Sequence, residues 1–250
     1  MQEWSDGSSR KIWVSQPYRS IIFYEKGMVS VYEYVRNADF RLKALEISEQ
    51  YAPRDETSFT PGTLQSAFEF ARAAHQNQYR KCSGAPYVTH PMDVASILLK
   101  NGAPDSLVIA GFLHDVLEDT KTDSLALRYS FGERVFSLVK AVSEMDSKGN
   151  LVVHDQSNWK ERKEQSLVKL KNAERDVKLL VCADKLANIK EMFDDLGYLG
   201  DRMWDYFNAG KDDQEWYYRS LVQALQSGSH SVEDTKMFQQ LQKYIDLVFR

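Results

Sequence analysis

From residue 63 onward, apolar residues recur at the spacing of helices that bury one face. Leu64, Ala67, Phe68 and Ala71 follow this spacing after Thr63, which can cap the start of a helix. The same pattern predicts helices over 63–78, 91–99, 107–116, 136–144, 159–172, 176–196, 214–226 and 232–249. This region has no strand-helix alternation, no glycine-rich phosphate loop and no repeat. The pattern therefore predicts an all-α helical bundle.

Residues 1–56 have a different pattern. The segment 11–35 is rich in aromatic and β-branched residues, such as Ile21, Ile22, Phe23 and Tyr24. This composition is typical of a short strand or hairpin, although an irregular extension fits it equally well. A polar linker marked by proline and glycine follows at 53–62. We therefore predict an N-terminal extension of uncertain structure and function over 1–56, a main domain over 57–228, and a C-terminal helix over 229–250 that packs on it.

The composition narrows the class of protein. A net charge of −4 gives no basic surface for binding a nucleic-acid backbone. The chain has no run of about 18 apolar residues that could span a bilayer, and its first residues lack the pattern of a secretory signal. The two cysteines, Cys82 and Cys182, are interpreted as reduced thiols. We expect a cytoplasmic protein that binds a small molecule and neither nucleic acid nor a membrane. The sequence leaves the oligomeric state open.

Four ionisable residues interrupt a predicted helix that is otherwise apolar nearly all round. They are His114, Asp115, Glu118 and Asp119. Residues four apart share one face of a helix, so these side chains are expected to lie close together. Burying carboxylates without compensation costs on the order of several kcal/mol each, and a divalent cation would offset that cost. The alternative is a helix end at which Glu118 and Asp119 are simply solvated.

Two other segments each carry one unusual residue. Asp184 lies in an apolar helix, where a lone aspartate is often a structural ion-pair partner, and His90 ends a loop just before a helix. Together with His114 and Asp115 they supply two nitrogens and two carboxylates, a set that suits Mn²⁺, Fe²⁺ or Zn²⁺ with positions open for water. A carboxylate at 184 that lay more than about 8 Å from the two imidazoles would exclude shared coordination.

This order of residues in an all-α chain resembles the HD superfamily of metal-dependent phosphohydrolases. Within it, the chain resembles the hydrolase domain of the RelA/SpoT family from about residue 64 to about residue 225. The resemblance rests on Tyr79-Arg80-Lys81, Gly84-Ala85-Pro86-Tyr87-Val88-Thr89-His90-Pro91, Phe112-Leu113-His114-Asp115, Glu118-Asp119-Thr120, Phe131-Gly132 and Ala183-Asp184-Lys185-Leu186-Ala187-Asn188.

That family removes the 3′-pyrophosphate from guanosine tetraphosphate and pentaphosphate, using Mn²⁺. The resemblance therefore implies an HD-domain bundle with a nucleotide substrate and Mn²⁺ or another divalent cation. It implies metal ligands at His90, His114, Asp115 and Asp184. It also implies that Glu118 and Asp119 position or activate the attacking water, that Arg80 and Lys81 lie by the nucleotide, and that Asn188 contacts its sugar. Only about 25 residues follow Leu225, so we expect a free-standing hydrolase without a synthetase domain.

Two departures leave the substrate open. The loop with Cys82 to Ala85 is one residue longer than in the long Rel enzymes, and Ala187 is small where relatives often carry a bulkier side chain. One alternative is an HD-type phosphatase that acts on another nucleotide or a phosphorylated cofactor. Another is a non-catalytic regulatory module that binds nucleotide, although such a module has no chemical need for both Glu118 and Asp119.

Further side chains are interpreted as structural. His75 lies on the apolar face of its helix and is expected to be packed near the site rather than to act as a ligand. A set of aromatic residues could stack on a base, but this spacing is more typical of a core. These are Trp204, Phe207, Trp216, Tyr217 and Tyr218.

Overall fold

The chain divides into two compact units, Met1–Thr60 and Pro61–Arg250. The computed structural model describes residues 62–144 and 158–250, and the backbone of four short strands in the first unit. These strands are β1 (Gln2–Trp4), β2 (Lys11–Val14), β3 (Ser20–Glu25) and β4 (Met28–Glu33). They form an antiparallel sheet in the order β1-β2-β3-β4. The hairpin alternative for this segment is thus observed, whereas the linker predicted at 53–62 lies, apart from Gly62, outside the described residues.

The second unit is helical, as predicted. Its α-helices are α1 (Leu64–Ala74), α2 (Thr89–Lys100), α3 (Asp105–Leu113), α4 (Val116–Asp119), α5 (Ser124–Val142), α6 (Trp159–Lys171), α7 (Arg175–Leu199), α8 (Lys211–Gln226) and α9 (Lys236–Val248). A 3₁₀ helix, Gly200–Tyr206, joins α7 to α8. Thr63 caps α1 as expected, since its side chain accepts the N–H of Ser66 at 3.1 Å.

Helix α3 lies at the centre of this unit, because it is apolar on all sides. Leu107, Ala110 and Leu113 are fully buried, and α3 packs against α1, α2, α5 and α7. Gly111 allows α3 to approach α2 closely. A Cβ at this position would lie 2.8 Å from Leu98 Cδ1 and 3.3 Å from the Cα of Ala95, both on α2. This contact fixes α2 against α3, the two helices that border the predicted metal ligands.

The predicted single helix over 107–116 is wrong in one respect. Helix α3 ends at Leu113 and α4 begins at Val116, so His114 and Asp115 lie at the break between them. The apolar pattern continues through Val116 and Leu117, which are both buried, and for this reason periodicity does not reveal the break.

The remaining elements agree with the pattern within a few residues, apart from α5. That helix starts twelve residues earlier than predicted, after the capping side chain of Asp123, and bends at Gly132, whose φ is 80°. Helix α9 packs along α7. The boundaries proposed at 56/57 and 228/229 stay predictions. Among the described residues, no helix has the length and apolar character needed to cross a membrane.

Candidate metal centre and active site

Four side chains from three parts of the helical unit converge on one point. His90 comes from the first turn of α2, His114 and Asp115 from the break after α3, and Asp184 from the middle of α7. The Nε2 atoms of the two histidines are 3.2 Å apart. Asp184 Oδ1 lies 3.1 Å from His90 Nε2 and 3.7 Å from His114 Nε2, far inside the 8 Å limit set from the sequence. Asp115 Oδ2 lies 3.0 Å from His114 Nε2 and 3.6 Å from His90 Nε2.

This arrangement fits a divalent cation. Two ligands that each lie about 2.1 Å from one cation are about 3 Å apart, which is close to the spacing of these donor atoms. Donor atoms of His90, His114 and Asp115 all lie within 4.8 Å of one another, and Asp184 adds an oxygen next to both imidazoles. The donor set of nitrogen and carboxylate oxygen suits Mn²⁺, Fe²⁺ or Zn²⁺ rather than a closed thiolate site.

Neighbouring groups orient these donors. His114 Nδ1 lies 2.9 Å from the carbonyl oxygen of Gly111, so this nitrogen donates and Nε2 is left facing the centre. Asn188 Nδ2 donates to Asp184 Oδ1 at 2.7 Å, and Lys185 Nζ lies 2.8 Å from Asp184 Oδ2. Each of these partners holds one donor in the direction that a shared cation requires.

The electrostatics of the centre are dominated by burial and by the opposite charges within it. Burial lowers the pKa of His90 despite its contact with Asp184. Burial would also lower the pKa of His114, but the carboxylates of Asp115 and Asp184 raise it well above its ordinary value. Burial would raise the pKa of Asp184, but Lys185 and the two imidazoles hold it well below its ordinary value. The pKa of Asp115 is lowered chiefly by His114 against the effect of burial. Both aspartates are thus ionised and available as ligands.

The two further acidic residues are held by different partners. The hydroxyl of Tyr87 lies 2.8 Å from Asp115 Oδ2 and 3.0 Å from Asp119 Oδ2, so it bridges a candidate ligand and a candidate base. Glu118 Oε2 accepts the backbone N–H of Glu144 at 3.0 Å. Glu118 is therefore tied to the residue two positions beyond α5, whereas Asp119 is tied to the loop before α2.

Two of the three residues predicted to bind substrate, Arg80 and Asn188, form a network with a side chain that the sequence did not single out. Arg80 donates to both carboxylate oxygens of Glu191, through Nε at 3.0 Å and through a terminal nitrogen. It also donates to Asn188 Oδ1 at 3.0 Å. Asn188 thus links Arg80 to the candidate ligand Asp184. Lys81 has an exposed side chain.

A cleft of about 510 Å³ opens from the metal centre between α5, α6 and α7. His114, Asp115, Glu118 and Asp184 line it at the centre. Cationic side chains line it too, namely Arg134, Lys163, Lys169 and Lys185. Neither Arg80 nor Lys81 is among the described residues that line this cleft. A negatively charged ligand that reaches the centre through the cleft would pass these cations.

Sequence reasoning did not assign roles to Tyr87, Lys163 or Glu191. Glu191 carried a usable signal, because it lies seven residues after Asp184 and therefore two turns along the same face of α7. Lys163 and Tyr87 carried no signal by spacing, since they reach the site from other elements. The interpretation of the aromatic set as core holds in part. Tyr217 and Tyr218 are buried and Trp204 stacks on Phe249 at 5.7 Å, but Tyr217 also lines the cleft.

A profile described as "HD domain" matches residues 67–196, which include every candidate metal ligand. The chain belongs to the HD domain family. The predicted resemblance is confirmed by curated relatives. Guanosine-3′,5′-bis(diphosphate) 3′-pyrophosphohydrolase of Aquifex aeolicus is 36% identical over 52% of this chain and 18% of its own length. The bifunctional (p)ppGpp synthase/hydrolase SpoT of Escherichia coli K12 is 38% identical over 40% of this chain and 14% of its own length. The HD domain chain thus spans less than a fifth of these relatives.

Solved structures share the fold of this HD domain. A crystal structure of a protein from Listeria monocytogenes EGD-e is 29% identical, with a TM-score of 0.55 over 64% of this chain and 98% of that one. A structure described as a metazoan ortholog of SpoT that hydrolyzes ppGpp is 22% identical, with a TM-score of 0.58 over 76% of this chain and 97% of that one. At this identity the second likeness concerns the fold alone.

Proposed function

We propose that this chain is a metal-dependent phosphohydrolase that removes the 3′-pyrophosphate from guanosine tetraphosphate and pentaphosphate, with Mn²⁺ as its cation. The observation that carries the proposal is the convergence of His90, His114, Asp115 and Asp184, with the carboxylate of Asp119 joined to Asp115 through one hydroxyl. The names of the curated relatives support the choice of substrate.

The chain's own residues supply binding, orientation and proton transfer. When bound, the cation supplies Lewis acidity, which polarises a phosphoryl oxygen and makes a water molecule easier to deprotonate. We assign that proton to Asp119, because its carboxylate shares the Tyr87 hydroxyl with the candidate ligand Asp115. Glu118 lines the cleft and is held by the backbone of Glu144, so it can orient the water.

The cleft presents cationic side chains where phosphate groups would lie, beside the acidic residues Glu144 and Glu174 that also line it. Phosphoryl transfer spreads negative charge over the phosphoryl oxygens, and cations nearby stabilise that charge. Lys163, Lys169, Lys185 and Arg134 line the cleft. Lys185 is paired with Asp184, and Arg134 with Glu174 and Asp176, so the ligand would compete with these carboxylates for the cations. Lys163 is paired with Glu144 at 2.6 Å, so its ammonium is fixed in place rather than free to rotate.

One observation favours the second enzymatic candidate, a phosphatase for another nucleotide or a phosphorylated cofactor. The guanidinium of Arg80 is paired on two of its nitrogens with Glu191. This pairing neutralises the charge that the family resemblance assigns to nucleotide binding. A ligand that needs less positive charge on this side of the centre is therefore compatible with the same metal site.

A substrate panel separates these functions. The Mn²⁺-loaded protein is incubated with guanosine tetraphosphate, guanosine pentaphosphate, other nucleotides and phosphorylated cofactors, and pyrophosphate and orthophosphate are measured separately. We expect pyrophosphate from the two guanosine compounds only, and loss of turnover in Asp115→Ala but not in the surface control Asp201→Ala. Orthophosphate from another compound would replace the alarmone with the second candidate. Binding of nucleotide without turnover by the metal-loaded protein would support the non-catalytic module.

A further inference from the structure

The loop before α2 brings two side chains together at its base. Tyr87 N donates to the carbonyl oxygen of Gln78 at 2.8 Å, and Arg80 N donates to that of Ala85 at 2.8 Å, so the two sides of the loop pair like a short hairpin. Gln78 and Tyr87 are therefore fixed side by side, and each reaches Asp119. Gln78 Nε2 donates to the Asp119 carbonyl oxygen at 2.7 Å, and the Tyr87 hydroxyl lies 3.0 Å from its carboxylate.

Asp119 needs such partners because of where it lies. It is the last residue of the four-residue helix α4, and Thr120 after it is extended, with φ −133° and ψ 177°. Carbonyl groups at the end of a helix lack a partner in the next turn. The amide of Gln78 supplies one for Asp119. The position of this candidate base thus depends on a side chain from the loop after α1 as well as on its own helix, in which its N–H donates to the Asp115 carbonyl oxygen at 2.9 Å.

The hydrogen bonds also fix the orientation of Gln78 and the tautomer of His75. A backbone carbonyl can only accept, so the Gln78 atom next to Asp119 must be the amide nitrogen. Gln78 Oε1 consequently faces His75 Nδ1 at 2.8 Å, and that nitrogen must donate. The remaining ring nitrogen, Nε2, is buried without a hydrogen-bond partner among the described residues. An aromatic lone pair tolerates this burial better than an N–H would, and burial lowers the pKa of His75, which favours the neutral ring.

The imidazole of His75 connects Gln78 and Tyr87. Its ring lies against the ring of Tyr87, with centroids 4.7 Å apart and an interplanar angle of 31°. His75 itself is 3% exposed. One buried ring therefore supports Gln78 by a hydrogen bond and Tyr87 by packing.

We propose that His75, Gln78 and Tyr87 form a clamp that positions Asp119. Gln78 holds the backbone carbonyl of Asp119, Tyr87 holds the carboxylate of Asp119, and His75 supports both of these side chains. The clamp rests on the proposed function only in that it treats Asp119 as the base. The three are positioning residues. Among the described residues, Gln78 hydrogen-bonds His75 and Asp119, and neither Gln78 nor His75 hydrogen-bonds any of the four candidate ligands, so Gln78 can be altered without removing a hydrogen bond from the metal centre.

The test compares Gln78→Met with Gln76→Met in the full chain. Methionine keeps the length of the side chain and removes both hydrogen bonds, while Gln76 is exposed and two residues away. The measurements are kcat and KM for pyrophosphate release, the Kd for Mn²⁺ by calorimetry, the melting temperature, the ¹⁵N resonances of the His75 ring, and the ¹³C resonance of the Asp119 carboxylate.

For Gln78→Met we expect kcat to fall by about 10-fold to 100-fold, because a misplaced catalytic group costs rate, with KM and the Kd for Mn²⁺ changed by less than about threefold. The Asp119 resonance should shift, and the His75 nitrogens should lose the pattern of a single Nδ1–H tautomer. Gln76→Met should match the wild type in every measurement.

The proposal is overturned if the Asp119 resonance of Gln78→Met is unchanged, or if kcat stays within twofold of the wild type. It is also overturned if KM, the Kd for Mn²⁺ and the melting temperature all worsen together, which is the result of general loosening. A wild type that leaves guanosine tetraphosphate intact refutes the substrate assignment instead. In that case the NMR comparison of the two variants still decides whether the clamp exists.

Discussion

Glu144 gives the clearest prediction about stability. Its carboxylate is paired with the guanidinium of Arg162 and, at 2.6 Å, with Lys163 Nζ, and its side chain is only 12% exposed. Burial alone would raise the pKa of Glu144, but the charges of Lys163 and Arg162 lower it from 4.5 to about 2. We expect Glu144→Gln to remove this stabilisation, because an amide carries no charge for either cation.

The magnitude follows from the difference between the two pKa values. A difference of about 2.5 corresponds to about 3 kcal/mol at pH 7, as an upper estimate. The sign is that of a depressed carboxyl pKa: the contribution is fully present above the unfolded value of 4.5 and is lost as the pH falls through about 2. At pH 3 the same relation leaves about 1.4 kcal/mol.

Urea unfolding of wild type and Glu144→Gln at pH 7 and pH 3 measures this difference. We expect the free energy of unfolding to drop by about 3 kcal/mol at pH 7 and by about half of that at pH 3. The control is Glu164→Gln, an exposed glutamate on the same helix as Lys163, which should stay within about 0.5 kcal/mol of the wild type. A loss for Glu144→Gln that is equal at both pH values, or below about 0.5 kcal/mol at pH 7, would refute the assignment of this ion cluster as stabilising.

Three further outcomes are expected. The Kd for Mn²⁺ should rise as the pH falls, by about tenfold per pH unit for each proton displaced, because the raised pKa of His114 lets protons compete for its Nε2. Calorimetry in two buffers measures the protons that are released on binding. Gly111→Ala should lower the free energy of unfolding, measured with urea at neutral pH. The added methyl costs about 1–3 kcal/mol in strain against α2, and the higher helix propensity of alanine offsets about 1 kcal/mol of that cost. Glu191→Gln should free the charge of Arg80 and lower KM for guanosine tetraphosphate more than kcat changes, and an unchanged KM would count against a nucleotide next to Arg80.

Much of the fold could be predicted because the helices bury one stripe each. The bounds of α6, α7 and α8 agree with the apolar period within a few residues. The break between Leu113 and Val116 could not be predicted, since both flanks of His114 and Asp115 are buried and apolar. The period of a pattern reports which residues are buried, and a tight turn between two buried segments leaves burial unchanged.

The candidate ligands could be predicted because their residue types are costly to bury. An imidazole or carboxylate inside an apolar helix needs a partner, so Asp184 was conspicuous in its surroundings. Gln78 was not conspicuous, because polar residues in loops are ordinary, and Glu191 was marked only by its spacing from Asp184 on α7. Their contacts with Asp119 and Arg80 join positions 41 and 111 residues apart in the chain, and only the folded structure brings these together.

The acidic residues of the centre are anchored by different elements, and this has a consequence for how the site is specified. Asp184 is held by Lys185 and Asn188 of its own helix, whereas Glu118 is held by the backbone beyond α5 and Asp119 by the loop before α2. A buried carboxylate without a hydrogen bond is costly, so the anchors of the partly buried Asp184 and Glu118 reduce that cost, whereas those of the exposed Asp119 fix its position. Because Asp184 and Glu118 have separate anchors, we expect the loss of one to displace one carboxylate, whereas loss of the Tyr87 hydroxyl affects both Asp115 and Asp119. The geometry of this centre is therefore a property of the packing of several elements and not of the His114-Asp115 pair alone.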